Sequence, residues 1–394
     1  MKKKIKILFI SHIPPIPTQG SAMTFYRHFV NQKEFEIAVI TDDQRIKSFE
    51  TQFRYITVNV GKLGNRLKNT RFHNIIQSLR LIFGIKRLHP KIVEFTIRFQ
   101  PDAIFTVGGS WSWMAIIAKR TADKFKIPLI TSFNDWWHYG IKYHSLTHQL
   151  LERRFYDFYQ NSSLAICTSE GMRKKLGPHK NTLVSYPTGA KRLETESKIQ
   201  SQTINKTFTI GFGGNLGDWY GKMIEAVVNE TPEINYKLFG FNPSWSKKFD
   251  NLVKKRGFYY GQVPFETLEK ELQTCDALLL LMGFGKEVEI IESTSFKTKF
   301  LDYLAIQKPI ILWGPLYCSA VETAKAFDSA EICTDNSPNA IKKVILKLKD
   351  NTSRQKQLTF NANEMYKDKF HPDIIQEKLV NKILKTVEDF NRKR

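Results

Sequence analysis

A chain of 394 residues is too long for one ordinary hydrophobic core and suits two domains of roughly 200 residues or fewer. With 42% hydrophobic and 25% charged residues, no repeat period and no low-complexity tract, its composition excludes a disordered, collagenous or solenoid protein. Sixty Lys and Arg against thirty-eight Asp and Glu leave a formal charge of +22, which favours phosphorylated substrates, an anionic membrane surface or nucleic acid as partners; without a zinc-finger, helix-turn-helix or RNP-like signature, nucleic acid ranks last.

The N-terminal stretch MKKKIKILFISHIPP imitates a secretory signal, but its apolar core covers only residues 7–10, short of the ~7–15 that an h-region needs. No segment reaches the ~20 apolar residues of a membrane span. A cytoplasmic chain, soluble or peripheral on the inner face of the membrane, is therefore expected. Cys167, Cys275, Cys318 and Cys333 show no CxxC pair and no metal-ligand spacing, so neither a disulfide framework nor a metal site is expected.

Residues 5–11 (IKILFIS) form a short apolar run that ends in a loop rich in Pro and Gly, HIPPIPTQGSA. A helical stretch at 23–30 and the run 35–41 (FEIAVIT) follow, which is the opening of a parallel doubly wound sheet. Further strands are expected at 55–60, 103–107, 129–133, 164–168 and 182–186. Their runs are apolar throughout rather than alternating, so helices should cover both sheet faces. From 191 to 206 the sequence KRLETESKIQSQTINK is polar and aperiodic, and reads as a linker. A second series then starts, with strands at 208–212, 236–239, 258–260, 277–281, 309–312 and 331–333 and helices at 265–273 and 297–306. The last stretch, 372–394, reads as one amphipathic helix with Ile374, Ile375, Leu379, Ile383 and Val387 on one face. The expected organisation is an α/β domain over 1–190, a linker over 191–206, a second α/β domain over 207–371 and a terminal helix over 372–394.

Ligands of doubly wound sheets sit at the carboxyl ends of the strands, where three loops are informative. GFGGNLGDWYGK (211–222) lets the backbone pass close to a bulky ligand at its glycines. ESTSFKTKFLDYLAIQKPIIL (292–312) places a polar turn, Ser293–Ser295, before a helix whose first turn holds Lys297, Thr298 and Lys299. Cations there oppose the helix dipole, and an anionic pyrophosphate would reconcile them, with Asp302 placed to meet ribose hydroxyls. PLITSFNDWWHYG (128–140) delivers Asn134, Asp135, Trp136, Trp137 and His138 to a strand end, where a carboxylate beside indoles suits a sugar acceptor. The bland alternatives are a tight turn, a Ser295 cap with solvated lysines, and core tryptophans.

Several stretches, in order along nearly the whole chain, resemble the GT-B glycosyltransferases, particularly the family-4-like bacterial enzymes. SHIPPIPTQGSAM resembles their first-strand loop. PDAIFTVGG, KFKIPLITSFNDWW, AICTSEGMRKKL and FYYGQVPFETLEKELQTCDALLLL resemble later segments, and SFKTKFLDYLAIQKPII is the closest match. The resemblance implies two Rossmann-like domains facing a central cleft, with a nucleotide-sugar such as a UDP- or GDP-sugar as donor, transfer with retention, and no metal or other cofactor. It further implies donor contacts at Gly20, Gly213, Gly214, Asn215, Lys222, Phe241, Val263, Glu292, Thr294, Ser295, Phe296, Lys297, Thr298, Lys299 and Asp302. Asp135 and Lys299 are the candidate catalytic residues, and Asn134, Trp136 and His138 the candidate acceptor contacts. Three positions depart from the family pattern: Thr294 stands where the first of two acids is usual, Asn215 replaces an arginine and Asn134 a histidine. Glu292 is the candidate substitute for the first acid, and Lys222 for the arginine. The departures leave open a catalytically silent nucleotide- or sugar-binding subunit and a nucleotide-sugar epimerase of the same fold.

Within 62–98, Lys62, Arg66, Lys68, Arg71, Arg80, Lys86, Arg87, Lys91 and Arg98 face one acid, Glu94, and Ile75, Leu79, Ile82 and Phe83 fall on one helical face. Such a segment suits peripheral contact with anionic lipid that presents a lipid-linked or glycan acceptor; the alternative is a helix packed on the sheet with solvated cations.

Overall fold

The computed structural model describes residues 4–18, 20–30, 32–59, 73–83, 87–109, 111–138, 143–189 and 207–393. The expected linker at 191–206 lies outside the described residues, as do Lys62, Arg66, Lys68, Arg71 and Lys86 of the basic segment.

The chain divides into two compact units. The first is built on a seven-stranded parallel sheet in the order β3-β2-β1-β4-β5-β6-β7. Its strands are β1 (Ile5–Ile10), β2 (Phe35–Thr41), β3 (Arg54–Thr57), β4 (Ala103–Val107), β5 (Leu129–Phe133), β6 (Leu164–Cys167) and β7 (Thr182–Val184). Register runs from Ile5 opposite Phe35 to Ile10 opposite Ile40, and from Ile7 opposite Ala103 to Phe9 opposite Phe105. Every residue of β4, β5 and β6 is buried, as apolar runs covered on both faces require. Phe9, Phe25, Phe29 and Phe105 interlock at the centre, with the Phe9 and Phe105 rings 4.5 Å apart. The last helix, Pro372–Arg392, belongs to this unit from Ile375 onward and sets Leu379, Val380, Ile383 and Val387 into the same core.

The second unit holds a six-stranded parallel sheet in the order β10-β9-β8-β11-β12-β13. Its strands are β8 (Thr209–Asn215), β9 (Asn235–Phe241), β10 (Tyr259–Gly261), β11 (Ala277–Leu281), β12 (Ile310–Trp313) and β13 (Glu331–Cys333). Phe212, Leu238, Leu279, Leu281, Ile311 and Trp313 form its core. Strand order reverses between β1 and β4 in one sheet and between β8 and β11 in the other, so the flanking loops diverge at each switch point and leave a place for a ligand.

Two local expectations are corrected. The turn Ser293–Ser295 is the tail of a helix, Lys286–Thr294, that the polar stretch KEVEIIEST did not reveal. The following helix runs Thr298–Ile306, with Lys297 rather than Ser295 at its N-cap position and no side chain capping it. All four cysteines are free and buried.

In the basic segment, helix His73–Phe83 buries Leu81 but leaves Leu79 at 41% and Phe83 at 69% exposure. Arg87, Lys91 and Arg98 are exposed. Among the described residues no helix is long and apolar enough to cross a membrane.

Candidate functional site

In the second unit the carboxyl end of β8 is made of Gly213, Gly214 and Asn215. Gly214 has φ 140°, and a Cβ there would stand 2.6 Å from Lys299 Nζ. Gly240 on β9 has φ 150°, and a Cβ there would stand 1.9 Å from the Gly214 carbonyl oxygen. Only glycine permits both the conformation and the approach. The Gly213 N–H donates to Tyr303 Oη at 3.1 Å, and Asn215 Oδ1 accepts from the Gly217 N–H at 2.9 Å. Asn215 therefore shapes the turn into helix Asp218–Glu230 and does not supply the charge of the arginine it replaces.

Lys299, in the first turn of Thr298–Ile306, sends its ammonium back over the Phe212 ring, 3.9 Å from the centroid and 5.1 Å from that of Tyr220. Burial, reinforced by the charge of Lys297, pushes its pKa down to about 7. Lys297 Nζ lies 2.9 Å from Glu292 Oε2. Burial works to lower the Lys297 pKa, but Tyr220 and Glu292 outweigh it and hold the ammonium above the usual lysine range. Glu292 is sealed: its side chain has no exposed surface, and Oε1 accepts from the Gly283 N–H at 3.2 Å. It is engaged by Lys297 and the glycine loop, so as a substitute for the missing acid it has no open side toward a sugar. Thr294 is buried as well, its carbonyl accepting from Ser169 Oγ at 2.6 Å.

Two residues of this site escaped the sequence reading. Glu269, on helix Phe265–Gln273, has its carboxyl raised by burial and by the neighbouring Asp302. Trp219 has a buried indole N–H with no acceptor among the described residues. Glu269 sits among the alternating charges of ETLEKEL, where nothing sets it apart from a solvated helix face.

In the first unit Asp135 follows β5, and its Oδ1 accepts from Ser295 Oγ at 2.9 Å, residues 294–296 packing with this unit. A Cβ on Gly109 would meet the Asp135 backbone at 2.6 Å, so the glycines of PDAIFTVGG serve the approach of one strand-end loop to the next. Trp136 and Trp137 are each 2% exposed, the Trp136 ring packing edge-on against Phe155. Two indoles after an apolar strand are drawn into the core, where their area is worth most. Asn134, with His28, Ser132, Thr168 and Ser185, lines a cavity of about 20 Å³, room for a water but not a sugar. His138 is half-buried and stacks on His148 at 6.3 Å.

Residues 21–182 match the family model described as Glycosyltransferase Family 4. Comparison with curated proteins by sequence finds no match. Three solved structures are similar along almost the whole chain. Anabaena Alr3699/HepE in complex with UDP has a TM-score of 0.67 at 14% identity, with 97% of this chain and 100% of that chain covered. Sucrose-phosphate synthase from Thermosynechococcus elongatus has a TM-score of 0.67 at 14% identity, covering 96% and 97%. A glycosyltransferase from Rickettsia africae ESF-5 has a TM-score of 0.65 at 11% identity, covering 100% of both.

The chain has the GT-B fold.

Of the donor positions that the resemblance to GT-B enzymes implies, Gly213, Gly214, Lys297, Thr298, Lys299 and Asp302 gather around the β8 end and the start of Thr298–Ile306. Lys222 is exposed on helix Asp218–Glu230, and Phe241 and Val263 are half-buried at the ends of β9 and β10. Phe296 is buried in the first unit, its ring 4.7 Å from that of Tyr186. Gly20 has φ 62° directly before helix Ser21–Phe29, which no side chain caps, and among the described residues beyond its chain neighbours nothing lies within 4 Å of where a Cβ would stand. Among the described residues no group of three or more His, Cys, Asp or Glu side chains could hold a metal ion.

Proposed function

We propose that this chain is a retaining glycosyltransferase that moves a sugar from a UDP-sugar to a glycan or lipid-linked acceptor in the synthesis of a bacterial surface polysaccharide or glycoconjugate. The observation that carries the reading is Lys299: an ammonium whose pKa burial lowers to about 7, packed against Gly214 at the glycine end of β8, where a diphosphate would restore its charge. UDP is preferred to GDP because a structure of the same fold, HepE, holds UDP.

The second domain, 207–371, takes the donor. Lys299, Lys297 and the N-terminus of helix Thr298–Ile306 neutralise the leaving diphosphate, and Asp302 with Glu269 meets the ribose. The first domain, 1–190, presents the acceptor, with Asp135 contacting it. The bond from the anomeric carbon to the diphosphate breaks while the acceptor hydroxyl attacks from the same face, and the hydroxyl proton passes to the departing phosphate oxygen. This chemistry needs no metal on the present reading, and turnover undiminished by a chelator is the expected check. Work on the cytoplasmic face of the membrane, with contact through 62–98, is part of the proposal. Binding to anionic liposomes that charge reversal at Arg80, Lys86 and Arg87 leaves unchanged would sink that part.

The sealed Glu292 and the buried Thr294 favour a second reading, a catalytically silent nucleotide-binding subunit. Release of UDP from UDP-glucose, with and without acceptor, separates the two. Nucleotide binding without release under either condition supports the silent subunit.

A further inference from the structure

The carboxyl ends of β1, β2 and β4 hold a second group of polar side chains that the donor chemistry does not use. β1 and β4 are the neighbours at which strand order reverses, so the loop after β1 and the loop after β4 lead to opposite faces of the sheet. His12 comes from the first loop, Asp42 from the end of β2, and Ser112 and Trp113 from the start of helix Trp113–Phe125.

His12 Nδ1 lies 3.0 Å from Ser112 Oγ. Ser112 caps the helix by accepting from the Met114 N–H at 3.3 Å, which leaves its own hydroxyl proton to donate to His12. With the Ser112 hydroxyl proton assigned to the Nδ1 bond, the imidazole carries its own proton on Nε2. That nitrogen is buried and has no partner among the described residues. Burial pushes the His12 pKa down to about 4 against the opposing pull of Asp43, so the ring is a neutral donor at physiological pH. A buried N–H without an acceptor is costly, and a ligand oxygen would recover that loss.

Trp113 is half-buried, and its indole N–H donates to Asp42 Oδ2 at 2.7 Å. The bond fixes the ring in one orientation, while the carboxylate keeps acceptor capacity to spare. A pinned, partly open indole offers an apolar surface to sugar C–H groups, Asp42 accepts from one hydroxyl, and His12 Nε2 donates to another oxygen. A phosphate suits this place poorly, since the Asp42 carboxylate would repel it and Arg45 is already paired with Asp43 at 2.7 Å.

We propose that His12, Asp42 and Trp113 form a subsite for an uncharged pyranose ring of the acceptor. The assignment rests on the glycosyltransferase reading and names the acceptor chemistry that the reading leaves open.

The test is saturation-transfer NMR on the full chain with methyl α- and β-pyranosides of glucose, galactose and N-acetylglucosamine, alongside a thermal-shift measurement with UDP on the same samples. The wild type should give sugar signals that UDP does not displace. Trp113→Ala and His12→Phe should each weaken them by about tenfold, and His12→Gln, which restores an N–H donor, should retain them in part. An unchanged UDP shift in each variant certifies its fold. No pyranoside signal in a wild type that binds UDP overturns the subsite and leaves the donor reading standing. Equal signals in the wild type and both weakening variants overturn it too. Sugar signals that depend on Trp113 in a chain that ignores UDP would uphold the subsite and sink the donor reading.

Discussion

The two sheets share one winding, yet their strand ends are furnished in opposite ways. At the β8 end Lys299 lies against the glycine backbone with Lys297 beside it, and one carboxylate, Glu292, is buried to hold Lys297. At the β1, β2 and β4 ends a neutral histidine, a carboxylate and a tryptophan bonded to it meet, and the neighbouring Arg45 is paired with Asp43. On the proposed reading, the winding supplies a place and the loops furnish it, with charge suited to a diphosphate at one end and with aromatic surface and uncharged hydrogen-bonding groups suited to a sugar at the other.

The largest expected effect breaks the cationic end. Lys299→Ala should lower turnover of UDP-glucose by about 10²–10³-fold, the range seen when one preorganised group at a developing charge is removed, and leave the melting temperature near that of the wild type. Steady-state release of UDP checks it.

The next concerns the backbone beneath that lysine. Gly214→Ala puts a methyl group 2.6 Å from Lys299 Nζ in a conformation that only glycine takes freely, so about 1–3 kcal/mol of stability and most nucleotide binding should go together. Urea unfolding followed beside a UDP titration reads both. A first-unit control is Ile383→Ala, a fully buried position, which should cost about 2–5 kcal/mol without weakening UDP binding to the folded chain.

Titration separates the two ends by window. A diphosphate selects charged Lys299, so UDP affinity should fall toward tenfold per unit as pH rises above about 7. Without nucleotide the sign reverses. The unfolded lysine keeps its proton up to about 10.4 while the folded one has lost it, so Lys299 adds stability as pH rises from about 7 toward 10. In the first unit His12 and His28 are both lowered to about 4 by burial. Their contribution is intact above about 6.5 and is lost as pH falls toward 4. Calorimetric melting across both windows, with Lys299→Met and His28→Gln, assigns each change. A flat profile through both windows would count against the burial assigned to these groups.

Much of this was legible in the sequence. Apolar runs separated by helical stretches gave the doubly wound order twice over, because strands covered on both faces leave a continuous apolar signature. SFKTKFLDYLAIQKPII marked the cationic helix start, since lysines in a first helical turn need a reason. The burial of Trp136 was not legible because one sequence cannot say whether an indole faces solvent or core. Glu269, Asp42 and Trp113 stayed hidden for a different reason: each is ordinary in its own segment, and only folding sets Glu269 beside Asp302 and ties Trp113 to Asp42. Helix Lys286–Thr294 was missed because its charged residues mask a short apolar face.

The most direct test of the central claim is calorimetric titration of UDP into the wild type and Lys299→Ala at about pH 7, near the pKa assigned to this lysine. The account expects saturable binding in the wild type and a loss of at least about tenfold in a folded variant. Equal affinity in the two proteins, or no binding to the wild type, would contradict it.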